Sequence, residues 1–243
     1  MAGDLLRPFD VDAAHAAKPV FAVREKSEKA IGALPPSLQA LAKTNNFCGE
    51  AGVILANDDG VLLGVGDESD PFIAAVIAEK GTEGDYFLRG ELSAGAAEKA
   101  AFGFLLGAYR FDRYKKQKHA KARLIAPQGV DVERVRRLAS ATAVTRDLVN
   151  TPAGDMTPSA LEDAARSLAK AHDAQVTSVI GDELLRRNFP MIHAVGRAAA
   201  AAPRLIELVH GEADAPKVTV IGKGVCFDSG GLDIKNADGM RIM

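Results

Sequence analysis

Residues 217–235 read KVTVIGKGVCFDSGGLDIK. The β-branched run Val218-Thr219-Val220-Ile221 predicts a strand. Behind it comes a lysine flanked by glycines, Lys223, and then Asp228, the pair Gly230-Gly231 and a second lysine, Lys235. A strand that opens into a glycine-rich loop of charged residues belongs to an α/β sheet, where functional groups gather beyond the carboxyl ends of strands.

Working upstream, the same alternation continues. Thr157 followed by Pro158 predicts an N-cap and the first helical position, and the helix is expected to bury Leu161, Ala164, Ala165 and Leu168. A strand over 175–180, a short helix opening at Asp182 and a strand over 205–209 follow. Strands alternating with helices predict a mostly parallel sheet. Before them, Asp131 is placed to cap a long helix reaching about Leu148, with Val135, Leu138, Ala141, Ala143 and Val144 as its apolar stripe. Nearer the N-terminus, runs 53–56 and 61–65 flank Asn57-Asp58-Asp59-Gly60, a hairpin signal. The run 20–23 reads as a strand, 93–109 as a helix with one buried face, and 123–126 as another strand. The basic run 110–121 is expected to be a solvated helix end. The fold class is therefore α/β, with an N-terminal domain over 1–130 and a linking helix plus a second domain over 131–243.

Composition narrows the function classes. A net charge of −2 gives no general attraction to nucleic acid or an anionic membrane. No apolar run approaches the roughly 20 residues of a membrane span, and the start MAGDLLRPFDVDAAH lacks the pattern of a secretory signal. Two distant cysteines, Cys48 and Cys226, argue against a disulfide framework and for a reducing compartment. The five histidines form no H-E-x-x-H pair. Any metal site must then rest mainly on carboxylates.

At residue level several readings of 217–235 stand side by side. Asp228 is a hard oxygen ligand for Mg²⁺, Mn²⁺ or Zn²⁺ and has two oxygens to share between ions. A lysine ligates only as the neutral amine, which a nearby dication favours. A surface lysine with a turn aspartate explains the same residues without a ligand. A phosphate-cradling loop is a third reading, but G-K-G lacks the G-x-x-x-x-G-K-[ST] spacing. Cys226 reads as a small apolar residue after the strand, with reactivity possible beside a metal.

The ordered set Lys223, Asp228, Lys235 resembles the metal-binding signature of the leucine aminopeptidase (cytosol aminopeptidase) family of dinuclear metallopeptidases. RDLVNTP at 146–152 with Thr157-Pro158, Val195-Gly196-Arg197 with Pro203-Arg204-Leu205, and Gly239-Met240 with Met243 are similar to further blocks of that family. The resemblance covers roughly 130–243. It implies an N-terminal macro-like α/β domain, a linking helix, and the truncated start of a mostly parallel-sheet aminopeptidase catalytic domain. Lys223 is implied to ligate one metal, Asp228 to bridge both, Lys235 to stabilise the developing oxyanion and Met243 to line the pocket for the substrate's first side chain. Two divalent ions (Mn²⁺ or Zn²⁺) and a bicarbonate are the implied cofactors. Peptides are the implied substrates, homo-hexamers the implied assembly and the cytoplasm the implied compartment. Asn236 stands where a proline is frequent. The family's later metal-ligand segments are expected past Met243, so the 243 residues alone are expected to be inactive. The alternative, from another class, is a non-catalytic module that binds a nucleotide, nucleic acid or protein through the N-terminal domain, supported by the basic run 110–121.

Overall fold

The computed structural model describes residues 5–67, 69–89, 94–241 and 243. The chain divides into two compact units, Met1–Asp147 and Leu148–Met243. In the first, the elements run β1 (Leu6–Arg7), α1 (Val11–Ala16), β2 (Lys18–Arg24), α2 (Glu28–Gly32), α3 (Pro36–Thr44), β3 (Ile54–Asn57) and β4 (Gly60–Gly66). They continue with α4 (Ala75–Lys80), β5 (Gly84–Arg89), α5 (Ala94–Ala108), β6 (Ala122–Ile125) and α6 (Val132–Asn150). The six strands lie in the order β1-β6-β5-β2-β4-β3. All neighbours are parallel except β3 and β4, the hairpin that Asn57–Gly60 signals. Asn57 Oδ1 closes the turn by accepting from the amides of Asp59 and Gly60 at 3.0 and 3.2 Å.

Every residue of β4 is buried, because helices cover both faces of a parallel sheet. Alternation sorts its side chains. Val61, Leu63 and Val65 join the layer of Ile77, Phe104 and Leu105, whereas Leu62 packs with Val23, Leu38 and Phe47 on the other face. The stretch around 72–78, ambiguous as sequence, supplies α4, which lies against α5. Two glycines make that approach possible. A Cβ on Gly107 would sit 2.3 Å from the Ala75 carbonyl oxygen, and one on Gly103 2.7 Å from that of Phe72. Gly107→Ala is therefore expected to destabilise this unit by about 1–3 kcal/mol, although alanine is the better helix former. Urea unfolding followed by circular dichroism checks this, and unchanged stability would show that α4 yields freely.

Asp131 caps α6 as expected, its Oδ1 accepting from the Arg134 amide at 2.9 Å. The stripe differs. Val132, Val135 and Ala139 are buried, while Leu138 and Val144 are 41% and 45% exposed. The basic run also differs from its expectation. α5 stops at Ala108, and 110–121 is a non-helical loop. Arg110 donates to the carbonyls of Gly107 and Tyr109, and Asp112 folds the loop back by accepting from the Gln117 amide and pairing with His119.

The second unit contains the end of α6, then α7 (Pro158–Ala171), β7 (Gln175–Ile180), α8 (Glu183–Arg186), α9 (Pro190–Gly196), β8 (Arg204–Val209) and α10 (Ala237–Met240). Thr157 caps α7 and Pro158 occupies its first turn. The buried positions of α7 are Glu162 and Ala169, with Leu168 47% exposed, so the inward face is offset from the apolar stripe. A charged residue claims the core position because it meets partners there. β7 and β8 pair antiparallel in register from Gln175↔Val209 to Ile180↔Arg204, which departs from the parallel pairing expected of strands that alternate with helices. Val218–Ile221 corrects another expectation. Those residues form no strand, and Val218, Val220 and Ile221 are 89–92% exposed. β-propensity alone does not make a strand; a neighbour must supply backbone partners. Among the described residues no helix is long and apolar enough to cross a membrane.

Candidate metal centre

Asp228 and Lys235 face one another across a closed turn. The Lys235 ammonium lies 2.8 Å from Asp228 Oδ2, and Asp228 Oδ1 accepts from the Gly230 amide at 2.8 Å. Three backbone contacts shut the turn. The Lys235 amide donates to the Ser229 carbonyl at 2.9 Å, that of Gly231 to the Asp233 carbonyl at 3.1 Å, and Gly230 bridges Ile234. Gly230 takes φ +107°, and a Cβ there would lie 2.4 Å from the Asp233 oxygen. A side chain at 230 would therefore force the turn open. Gly230 thus serves the geometry that presents the carboxylate, whereas a Cβ on Gly231 would meet nothing within 4 Å.

Electrostatics follow from this arrangement. The Lys235 ammonium, then the Gly230 amide, with a further contribution from the charge of Lys223, hold the Asp228 carboxyl below the usual aspartate range. Lys223 sits on exposed chain and is close enough to act on Asp228 through its charge. Burial pushes the Cys226 thiol up, which keeps it a thiol and argues against a reactive role. Asn236, marked in the sequence only as a departure, is the N-cap of α10. Its Oδ1 accepts from the Gly239 amide at 2.9 Å. Its signal was the Asn-Ala-Asp-Gly order itself. Met243 lies past α10, 45% exposed, its amide donating to the Met240 carbonyl. The fold therefore brings Asp228 and Lys235 together, keeps Lys223 within electrostatic reach and leaves Met243 at the edge.

A carboxylate and an amine are chemically suited to a divalent ion. Among the described residues no three of His, Cys, Asp and Glu converge on a common point. At this turn the described residues therefore offer the Asp228 carboxylate, paired with Lys235, and no complete ligand set.

Comparison with known proteins places the chain in a family. Residues 143–243 match the model of the cytosol aminopeptidase family, catalytic domain, and residues 31–127 that of the M17 aminopeptidase N-terminal domain. Between them the two models take in most of the chain. It belongs to the M17 cytosol aminopeptidase family. Relatives of this M17 chain include the probable cytosol aminopeptidase of Roseiflexus castenholzii, 39% identical over 156 residues, which are 58% of this chain and 32% of the relative. That of Aquifex aeolicus is 32% identical over 164 residues, 64% of this chain and 33% of the relative. Among solved structures, the cytosol aminopeptidase of Coxiella burnetii superposes with a TM-score of 0.84 at 34% identity, covering 99% of this chain and 53% of that one. The bottromycin maturation enzyme BotP in complex with Mn superposes at 0.69 with 28% identity, covering 92% and 51%. The M17 chain thus spans about a third of the curated relatives and about half of the solved chains it matches.

Proposed function

We propose that the protein carrying this chain is a metal-dependent aminopeptidase that releases apolar, leucine-type residues from peptides bearing a free amino terminus. The observation that carries the proposal is the turn at 228–235. It sets a carboxylate beside a lysine, with the charge of Lys223 in reach, inside the segment that matches the family's catalytic domain. Lys223 and Asp228 are the residues that would hold two divalent ions, Mn²⁺ or Zn²⁺. A relative solved with Mn supports the first of these. When bound, such ions supply a hydroxide-like nucleophile near neutral pH and an anchor for the substrate amine.

The chain's own residues carry the remaining roles. The Lys235 ammonium offers a positive charge to an oxygen that becomes negative during attack on the peptide carbonyl. Asp228 is held ionised and so remains a ligand at neutral pH. Met243 offers a flexible apolar surface to the first side chain of the substrate. A bicarbonate cofactor, homo-hexameric assembly and a cytoplasmic location belong to the same proposal and rest on family membership; light scattering on the purified protein reads the assembly directly.

The test compares two preparations. The 243 residues alone, offered leucine amide with excess Mn²⁺ or Zn²⁺, are expected to give no turnover above background, because one carboxylate and one amine do not complete a dinuclear ligand set. The protein expressed from its own reading frame is expected to turn over at ordinary rates of about 1–10³ per second, and to spare the amine-blocked substrate. Fast turnover by the 243 residues, lost in Asp228→Ala, would show that the site needs no further donors.

One observation favours the second reading, a binding module. Lys115, Lys116 and Lys118 are exposed on the loop 110–121. Lys121 and His119 there are already paired with Glu83 and Asp112. Three exposed lysines on a chain of net charge −2 are largely screened at physiological salt, so the enzymatic reading stands.

A further inference from the structure

We infer that Asn236 is a positioning residue, which through the start of α10 sets where the Lys235 ammonium stands. The inference rests on the reading of Lys235 as the group that meets a developing oxyanion, and adds the device that aims it.

Lys235 lies between two local structures. On one side its amide donates to the Ser229 carbonyl at 2.9 Å, which fixes its backbone to the closed turn. On the other, Asn236 opens α10. The Asn236 backbone is extended, with φ −68° and ψ 173°. Its Oδ1 accepts from the Gly239 amide at 2.9 Å, and its carbonyl accepts from the Met240 amide at 3.0 Å. Such a cap supplies an acceptor for an amide that has no partner within the helix. It also folds the chain back over the preceding residue. A Cβ on Gly239 would lie 3.4 Å from Lys235 Cβ and 3.7 Å from its Cδ. The lysine stem therefore runs against the first turn of α10, with no side chain at 239 to crowd it. Lys235 is accordingly partly buried while 231–234 and 236–238 are exposed, and its ammonium emerges 2.8 Å from Asp228 Oδ2. A lysine stem is flexible, and its ammonium otherwise sweeps a wide volume. A wall along the stem narrows that volume before a substrate arrives, and a donor acts on a developing charge only from the right place. α10 is four residues long, too short to persist without its cap, so Asn236 decides whether the wall exists. The helix contributes no buried residue, and loss of the cap leaves the rest of the fold intact.

The experiment uses the protein expressed from its own reading frame, assayed on leucine amide. Asn236→Ala is expected to lower kcat about three- to tenfold, the scale of losing one N-cap, with KM changed by less than about twofold. Asn236→Ser keeps a capping oxygen and is expected to restore kcat. Added to Lys235→Ala, the Asn236→Ala change is expected to cost nothing further, because the group it aims is gone. Hydrogen exchange of peptides covering 236–241, read by mass spectrometry without substrate, is expected to quicken in Asn236→Ala and to return to the parent rate in Asn236→Ser. An unchanged kcat in Asn236→Ala overturns the inference, as does a loss that Asn236→Ser shares. An equal loss in the parent and Lys235→Ala backgrounds overturns it too, since Asn236 would then be a structural cap alone. The two levels separate cleanly. If Lys235→Ala keeps the parent's kcat, the reading of Lys235 falls. If Lys235→Ala slows turnover while Asn236→Ala does not, only the positioning falls.

Discussion

Glu162→Ala is expected to destabilise the second unit by about 3–5 kcal/mol, the usual cost of stranding a buried charge. Glu162 lies on α7 with its side chain 7% exposed. Its Oε2 meets the Arg204 guanidinium at 2.6 Å, and its Oε1 accepts from Arg166 at 2.5 Å and from the Ser178 hydroxyl at 2.8 Å. One carboxylate thereby joins the helix to β7 through Ser178 and to β8 through Arg204, whose own side chain is 12% exposed. Alanine removes the acceptor and leaves that guanidinium buried without its counter-charge. A loss of this size is a large share of the 5–15 kcal/mol that holds a typical domain together. The same cluster makes the unit acid-sensitive. Hydrogen bonding from Arg204 leads the causes that bring the Glu162 pKa from 4.5 down to about 2, against the opposing effect of burial. A carboxyl depressed by folding stabilises fully above its unfolded value near 4.5, and that contribution, roughly 3 kcal/mol, is lost as the pH falls toward 2. Hydrogen exchange of the β7 and β8 amides at pH 7 and pH 3 reads both effects. Equal protection in parent and Glu162→Ala at pH 7 would show that the cluster is ornamental.

Lys235→Ala, made in the protein expressed from its own reading frame, is expected to slow turnover by about 10²–10³, the usual effect of losing one donor to a developing oxyanion. Metal content should not fall, because Lys235 is assigned to the developing oxyanion and not to the ion. Asp228→Ala should lose metal together with activity, and Lys223→Ala should lower occupancy. The difference follows from the turn. Lys235 touches the carboxylate from seven residues further along, whereas Lys223 precedes it on exposed chain. Kinetics run beside metal analysis separate the roles. If Lys235→Ala lost metal in proportion to activity while Lys223→Ala kept both, the two lysines would be exchanged in their assignment.

Much of the architecture was open to reading from residues alone. The Asn57–Gly60 turn, the Asp131 cap and the Thr157-Pro158 start are local devices, in which a side chain bonds an amide two or three residues away. Such contacts need no distant partner, so the sequence carries them entire. The ordered Lys223, Asp228 and Lys235 with their intervening glycines also sufficed to point to the family. What required tertiary structure was everything decided by a partner far along the chain. Val218–Ile221 has the composition of a strand yet lies exposed without one, because a ladder depends on a neighbour. Glu162 belongs by type on a surface and is buried because Arg204, 42 residues away, meets it there. The inward face of α7 was set by that ion pair and not by its leucines. The contact between Lys235 and Asp228 could not be read from spacing either, since it depends on the backbone closing at Gly230 and Ile234. Local bonds are written in the order of residues, while long-range pairing is settled only when the folded chain shows which groups have lost water and must find one another.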